Sequence, residues 1–368
     1  MDRWCESSPP LPYNAQIMES PQPPLTRRPR GGFLLPWILA LVLLPLGACG
    51  ESGSGTTPSR LILSNVHVTG YPTARGLEVF RDRVAAAPEL AGLSIDLQLG
   101  GVLGNEKESL EKLGFGGIQL ACTSVAPLAE FSDTIGVLTL PYLFRDPDHM
   151  WAVLDGPLGE ELLATLDGDG FVGLAFYDAG ARSFYNRERP IRRLEDLQGL
   201  KIRVQKSEIM RQMVEALGAS PVSLGFKEVY TNLYTGAIDG AENNLPSYRS
   251  ERHFEVARYY SYDRHSTIPD VLLINRRTWE GLSPEAQMAL RAAARESSQA
   301  QRRFWAEVEE EALEAVQEAG VEVYEIEDVE AFQQAVEPLY EEHASRYGSW
   351  VERVRAVAPE SEATAQEP

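Results

Sequence analysis

The sequence predicts an α/β protein of two lobes with a long helix spanning both, and three observations carry that reading. Strand-like and helix-like stretches alternate from about residue 60, and the scheme starts again near residue 181. The strand GLKIRV (199–204) runs straight into a helical pattern of Ile209, Met213, Val214 and Leu217, which is a βα unit. From Pro284 to about Ala319 the pattern stays helical for more than 30 residues.

Leu61–Val68 reads as the first strand, and Thr73–Ala87 as a helix with Leu77, Phe80 and Val84 on one face. Leu93–Leu99 is a strand, Asn105–Leu113 a helix opening after Gly104, and Gly117–Thr123 a strand again. Val137–Leu140 is a further candidate strand, ended by Pro141. Asp148–Leu166 is helical across a break at Gly156-Pro157, and Phe171–Tyr177 is a strand. The second region opens with Ser183–Asn186. It continues with strand Lys201–Val204, helix Ser207–Leu217, strand Pro221–Ser223, helix Phe226–Thr235 closed by Gly236, and strand Gly240–Asn243. Ile268–Asn275 leads to the long helix, where Ser283 and Pro284 make a good cap and first turn.

The chain has 368 residues, enough for two domains, with 43% hydrophobic and 9% aromatic residues, as in a globular protein. Its formal net charge is -20, from 34 Lys+Arg against 54 Asp+Glu. Nucleic acid is therefore not the expected partner, because phosphate binding needs a basic footprint.

Phe33–Ala48 is the one strongly apolar run, too short and too rich in proline for a membrane span. Arg27, Arg28 and Arg30 precede it and Gly47-Ala48 close it, the layout of a signal peptide. Leu46-Gly47-Ala48-Cys49 resembles a lipobox, which would make Cys49 the lipidated first residue of the mature chain; the alternative is a plain signal peptide. GESGSGTTPS after it reads as a flexible tether, so a globular domain would sit at a membrane surface in the periplasm. Of three cysteines, Cys5 falls in the leader, and Cys122 is left without a disulfide partner or metal-ligand spacing. The expected organisation is a leader over 1–48, tether over 49–59, first lobe over 60–180 and second-lobe core over 181–268. Residues 269–355 would return to the first lobe with the C-terminal helices, and 356–368 read as a disordered tail.

No GxSxG, P-loop, HExxH or strand-associated GxGxxG is present, and the five histidines show no metal-ligand spacing. No enzyme, cofactor or metal is therefore expected. Arg182, Arg203 and Asn243 instead fall at strand ends and loops of the second region, where a doubly wound lobe has its crevice. An Arg fork can bind a carboxylate through two charge-assisted bonds, and an amide can donate a third.

The stretch from DLQGLKIRV through ALGASPVSLGFKEVYTNLYTGAIDGAENN resembles the core motif of TRAP-transporter solute receptors, the family of dicarboxylate and sialic acid binders. Also similar are GVLGNEKESLEKLGFGGIQL, LPYLF at 140–144, DGPLGEELL at 155–163 and GARSFYNRERPI at 180–191. The resemblance covers about Leu61 to Ser345 and implies the two-lobed periplasmic-binding-protein fold, class II-like. It implies a receptor that captures a small organic acid, closes, and delivers it to membrane subunits. By residue match it implies that Arg203 makes the bidentate bridge to the ligand carboxylate, Arg182 supports it and Asn243 completes the clamp. Phe226 matches a ligand-packing aromatic, or else plain core. Thr123 and Ser124 match first-lobe contact positions, and Tyr71, in the loop after the first strand, is a further candidate contact. Asn244 and Ala241 depart from the family pattern, and Cys122-Thr123-Ser124 lacks the neighbouring acid of sialic acid receptors. Lys206 reads as a second cation or as a solvated helix start. The alternative from another class is a sensory or enzymatic domain on the same fold, with Glu242 or Glu228 as a base.

Overall fold

The structure is a computed structural model and describes residues 59–358. The leader, Cys49, the tether up to Pro58 and the tail from Pro359 lie outside the described residues.

Two sheets organise the chain. The first has strands β1 (Arg60–Ser64), β2 (Ser94–Gln98), β3 (Leu120–Ser124), β4 (Phe171–Tyr177) and, much later, β10 (Asp270–Asn275). The second has β5 (Ala181–Asn186), β6 (Lys201–Val204), β7 (Ser220–Ser223), β8 (Gly240–Asn243), β9 (Tyr259–Thr267) and β11 (Glu322–Glu325). Their spatial orders are β2-β1-β3-β10-β4 and β11-β9-β5-β8-β6-β7. In the first, β1 is parallel to β2 and β3, whereas β10 runs antiparallel to β3 and β4. Such mixing follows when a strand re-enters from the other lobe instead of through a local crossover.

Helices α1 (Pro72–Ala86) and α2 (Glu106–Gly114) make the crossovers of the first lobe. α2 starts on a capping box in which the Asn105 side chain accepts from the Glu108 N–H and Glu108 reaches back to the Asn105 N–H. The short α3 (Val125–Leu128), α4 (Pro147–Leu154) and α5 (Pro157–Thr165) follow, the last two split at the Gly156-Pro157 break. In the second lobe come α6 (Glu208–Ala216), α7 (Val229–Thr235) and α8 (Leu245–Ser250). The chain ends in α9 (Arg276–Glu280), the 35-residue α10 (Pro284–Glu318), α11 (Val329–Glu342) and α12 (Ala344–Ala356). α10 lies along α1 and β4 of the first lobe and goes on to α8 of the second, so it does span both.

The chain passes between sheets at Asp178–Gly180 and again at Ile268-Pro269. Gly180 is required at the first crossing: its φ is +58°, and a Cβ there would stand 2.6 Å from the Trp305 ring of α10.

Three elements differ from the sequence reading. Val137–Leu140 is not a strand; residues Thr134–Thr139 form a 3₁₀ helix buried from Ile135 onward. A short apolar run has no period to separate the two forms. The strand Tyr259–Thr267 was not expected, although its nine residues hold the centre of the second sheet's outer half. The segment 269–355, expected to return to the first lobe, divides: β10 joins the first sheet, whereas β11 pairs with β9 in the second. No helix among the described residues is long and apolar enough to cross a membrane.

Candidate functional site

Between the two sheets lies a small cavity, lined among others by His67, Tyr71, Glu106, Ser124, Arg182, Gln205, Phe226, Asn243 and Asp270. These come from the carboxyl ends of parallel strands β1, β3, β6 and β8. The antiparallel strands β5 and β10 contribute their amino ends, so Arg182 and Asp270 reach the same place.

Arg203 lines a narrow recess that adjoins this cavity at Glu106 and Phe226. Strand alternation places Ile202 and Val204 inward and Lys201 outward, yet Arg203 is also only 2% exposed. The loop after β7 covers it, and its Nε and Nη2 donate to the Leu224 carbonyl at 3.0 and 2.8 Å. Nη1 is left without a hydrogen-bond partner among the described residues. Burial pulls the Arg203 pKa below the usual arginine value, while Glu242 works to raise it. A guanidinium held this way gains from a carboxylate arriving beside it. Lys206 is half-buried in the same recess.

Arg182 is committed to the protein. Its Nε and Nη2 donate to Glu242 Oε2 and Oε1 at 2.5 and 3.0 Å, Nη2 also to the Glu242 carbonyl, and Nη1 to Asn243 Oδ1 at 3.0 Å. Asn243 Oδ1 accepts from the Asn244 N–H as well, which directs the Asn243 amide NH₂ to the cavity. Glu242 is fully buried. Burial opposes its ionisation, but Arg182 and then His265 outweigh it and hold the pKa at about 2. His265 in turn lies 2.9 Å from Asp263. Burial would lower its pKa, yet Asp263 and Glu242 lift it to about 9.

The first-lobe side is more acidic than its local sequence suggests. No acid is adjacent to Thr123-Ser124 in the chain, but the fold brings Glu106 there: its Oε1 accepts from the Ser124 N–H at 2.9 Å. Asp270, at the start of β10, accepts from Thr73 Oγ1 at 3.2 Å and stands 3.9 Å from His67 Nε2. Burial, then the neighbouring Glu106, lifts Asp270 to about 8, and burial raises Glu106 too. His67 goes the other way, down to about 3, through burial and then the cations Lys227 and Arg182. Two polar atoms of the lining, His67 Nδ1 and Gln205 Oε1, are buried without a partner. Such atoms are rare unless a ligand or water supplies the missing bond.

Of the expected residues, Arg182, Asn243, Phe226, Ser124 and Tyr71 line the cavity, and Arg203 lines its adjoining recess. Tyr71 stacks on His67 with ring centroids 3.8 Å apart, and Phe226 meets the same imidazole edge-on at 5.4 Å. Thr123 is set apart: it is outside the lining and its hydroxyl is buried without a partner. Glu106, Asp270, His67 and Gln205 were missed: Glu106, Asp270 and His67 are distant in sequence from the clamp, and Gln205, two residues after Arg203, is an uncharged residue at the start of a loop. Only the position of Gln205 immediately after strand Lys201–Val204 offered a signal.

Asp270 has a testable consequence for stability. Its folded pKa of about 8 exceeds the ordinary 3.8, so the folded state keeps a proton that the unfolded chain releases. That contribution is complete below about pH 4 and is lost as pH rises toward 8. Denaturant unfolding of the ligand-free protein should show a decline across this window that Asp270→Asn flattens. An unchanged slope in the variant would mean that Asp270 titrates normally.

A solute-binding protein of Chromohalobacter salexigens is 34% identical, over 77% of this chain and 84% of that protein. The TRAP periplasmic solute-binding protein of Roseobacter denitrificans, solved with β-D-glucuronate, is 38% identical with TM-score 0.79, covering 81% of this chain and all of that one. Its counterpart from Xanthobacter autotrophicus, solved with β-D-galacturonate, is 41% identical with TM-score 0.78, over 81% and 99%. The family model for bacterial extracellular solute-binding protein, family 7 (DctP), matches residues 63–346. With that match spanning both sheets and every residue of the cavity, the chain belongs to the DctP family of TRAP solute-binding proteins, whose members are receptors and not enzymes.

Proposed function

We propose that this receptor captures a hexuronate, of the glucuronate and galacturonate class, and delivers it to the membrane subunits of a TRAP transporter. One observation carries the choice of ligand: two buried carboxyl groups, Glu106 and Asp270, share the cleft with the Arg203–Asn243 clamp. A sugar acid has one carboxylate for the clamp and several hydroxyls for acceptors such as Glu106, Asp270 and Gln205. A four-carbon dicarboxylate would have to bury its second charge beside Glu106 and Asp270, whose carboxyl groups offer it no positive partner. The solved neighbours with bound uronates support the same reading.

In this mechanism Arg203 receives the carboxylate, Asn243 donates its amide N–H to it, and Arg182 keeps Asn243 oriented. The faces of Phe226 and Tyr71 pack on the sugar's C–H surface. Ser124, through its backbone, keeps Glu106 in place. Ligand contacts to both lobes favour the closed form, which the membrane subunits then read. Acylation at Cys49 would keep the receptor at the membrane throughout.

Thermal unfolding with a panel of ligands tests the proposal. At about a thousand times its dissociation constant a ligand should stabilise by roughly 4 kcal/mol. D-glucuronate or D-galacturonate should give a clear upward shift, with little from glucose, the uronamide or succinate. A larger shift with succinate than with either uronate would remove the hexuronate assignment.

A further inference from the structure

We propose that the base of the first lobe, at the end of its sheet opposite the cleft, rests on the bilayer, with Phe115 entering the lipid interface. This rests on the proposed acylation of Cys49. Phe115 is 89% exposed, more than any other large apolar side chain among the described residues. It stands in the turn between α2 and β3, where Gly116 with φ +78° lets the chain reverse. That turn is held to the body through the Gly117 and Ile118 N–H groups, both donating to the Lys112 carbonyl.

The position of the turn is what gives the exposure meaning. β1 and β3 are parallel neighbours, with Leu63 paired to Leu120, so residues 115–118 stand level with the start of β1 at Arg60. Arg60 is where the tether from Cys49 enters the fold. The segment from Cys49 to Arg60 can span at most roughly 35–40 Å when extended, about one lobe's width. A lipid on Cys49 therefore keeps this end of the sheet near the membrane, and the apolar side chain best placed to meet it is Phe115. Met288, 65% exposed near the start of α10, adds a second apolar side chain at the same end. Lys112, Arg276 and Arg277 are exposed there beside Glu111, Asp167 and Glu280, with Arg276 paired to Glu280, so an otherwise acidic chain presents a face of mixed charge to the bilayer.

The arrangement leaves the cleft pointing away from the bilayer. Ser124 and Asp270 lie at the far ends of β3 and β10, beside the cavity. A receptor resting on its base would thus hold its site open to the periplasm, and would have to lift off to offer the closed cleft to the membrane subunits.

The test uses the full chain, acylated in cells and reconstituted in vesicles of phosphatidylethanolamine and phosphatidylglycerol. Phe115→Cys carries an environment-sensitive fluorophore; Tyr234→Cys, at the exposed Tyr234 of α7 in the second lobe, is the control. Cys122 is buried and stays unlabelled. Quenching by a nitroxide in the lipid phase should be several-fold stronger at 115 than at 234, with blue-shifted emission at 115 only. Equal, weak quenching at both sites in protein that sediments with the vesicles would overturn the basal contact while leaving the anchor intact. Protein that stays in the supernatant would instead remove the anchor, and this inference with it.

Discussion

Arg203→Ala is expected to lower uronate affinity roughly 30-fold to several thousand-fold while leaving the fold intact. The lower bound corresponds to about 2 kcal/mol, the least that truncating one partner of a buried, hydrogen-bonded charge pair usually costs, and the upper to about 5. The fold should tolerate the change. Among the described residues the guanidinium bonds only to the Leu224 carbonyl, and burying a cation with so little compensation contributes little to stability. Arg203→Lys should fall between wild type and alanine, because an ammonium keeps the charge and loses the planar fork. Titration calorimetry reads affinity, and thermal unfolding of the same ligand-free samples checks the fold. Wild-type affinity in Arg203→Ala would end the proposed role.

Glu242→Ala should act on stability first, by about 3–5 kcal/mol, because it strands the Arg182 guanidinium in a buried site. Arg182 is 4% exposed and directs both Nε and Nη2 to the Glu242 carboxylate. His265, whose raised pKa depends on Asp263 and Glu242 together, loses one of its two anionic partners in the same variant. For a domain of this size the unfolding midpoint should fall by something on the order of 10 °C. Glu242→Gln keeps the shape and one acceptor and should recover part of that loss. If Glu242→Ala melts within about a degree of wild type, the buried ion pair is not what holds Arg182. Affinity should fall in both variants, since Arg182 orients Asn243 through a 3.0 Å bond.

Much of this architecture was legible before any coordinates. Lys201–Val204 and Gly240–Asn243 have the bounds their sequence suggests, because alternating apolar residues between glycines and a capped helix leave few other structures. The long helix starts at Pro284 after a serine cap, as its local chemistry requires. Tyr259–Thr267 was missed because its value as a strand comes from neighbours on both sides, β5 and β11, and not from its own pattern. Thr134–Thr139 went the other way, an apolar run that became a buried helical turn.

By itself the sequence determined the α/β class, the order of nearly all the strands, the acidic balance and the placement of Arg182, Arg203 and Asn243 at strand ends. Each depends on periodicity, composition or a motif contained in one short stretch of chain. Only the tertiary structure decided what surrounds the clamp. Glu106 reaches Ser124 across 18 residues, and Asp270 faces a cavity whose other acid lies more than 160 positions earlier. Which atoms share a low-dielectric cleft is set by how strands from both lobes converge, and no single stretch of the sequence contains that convergence.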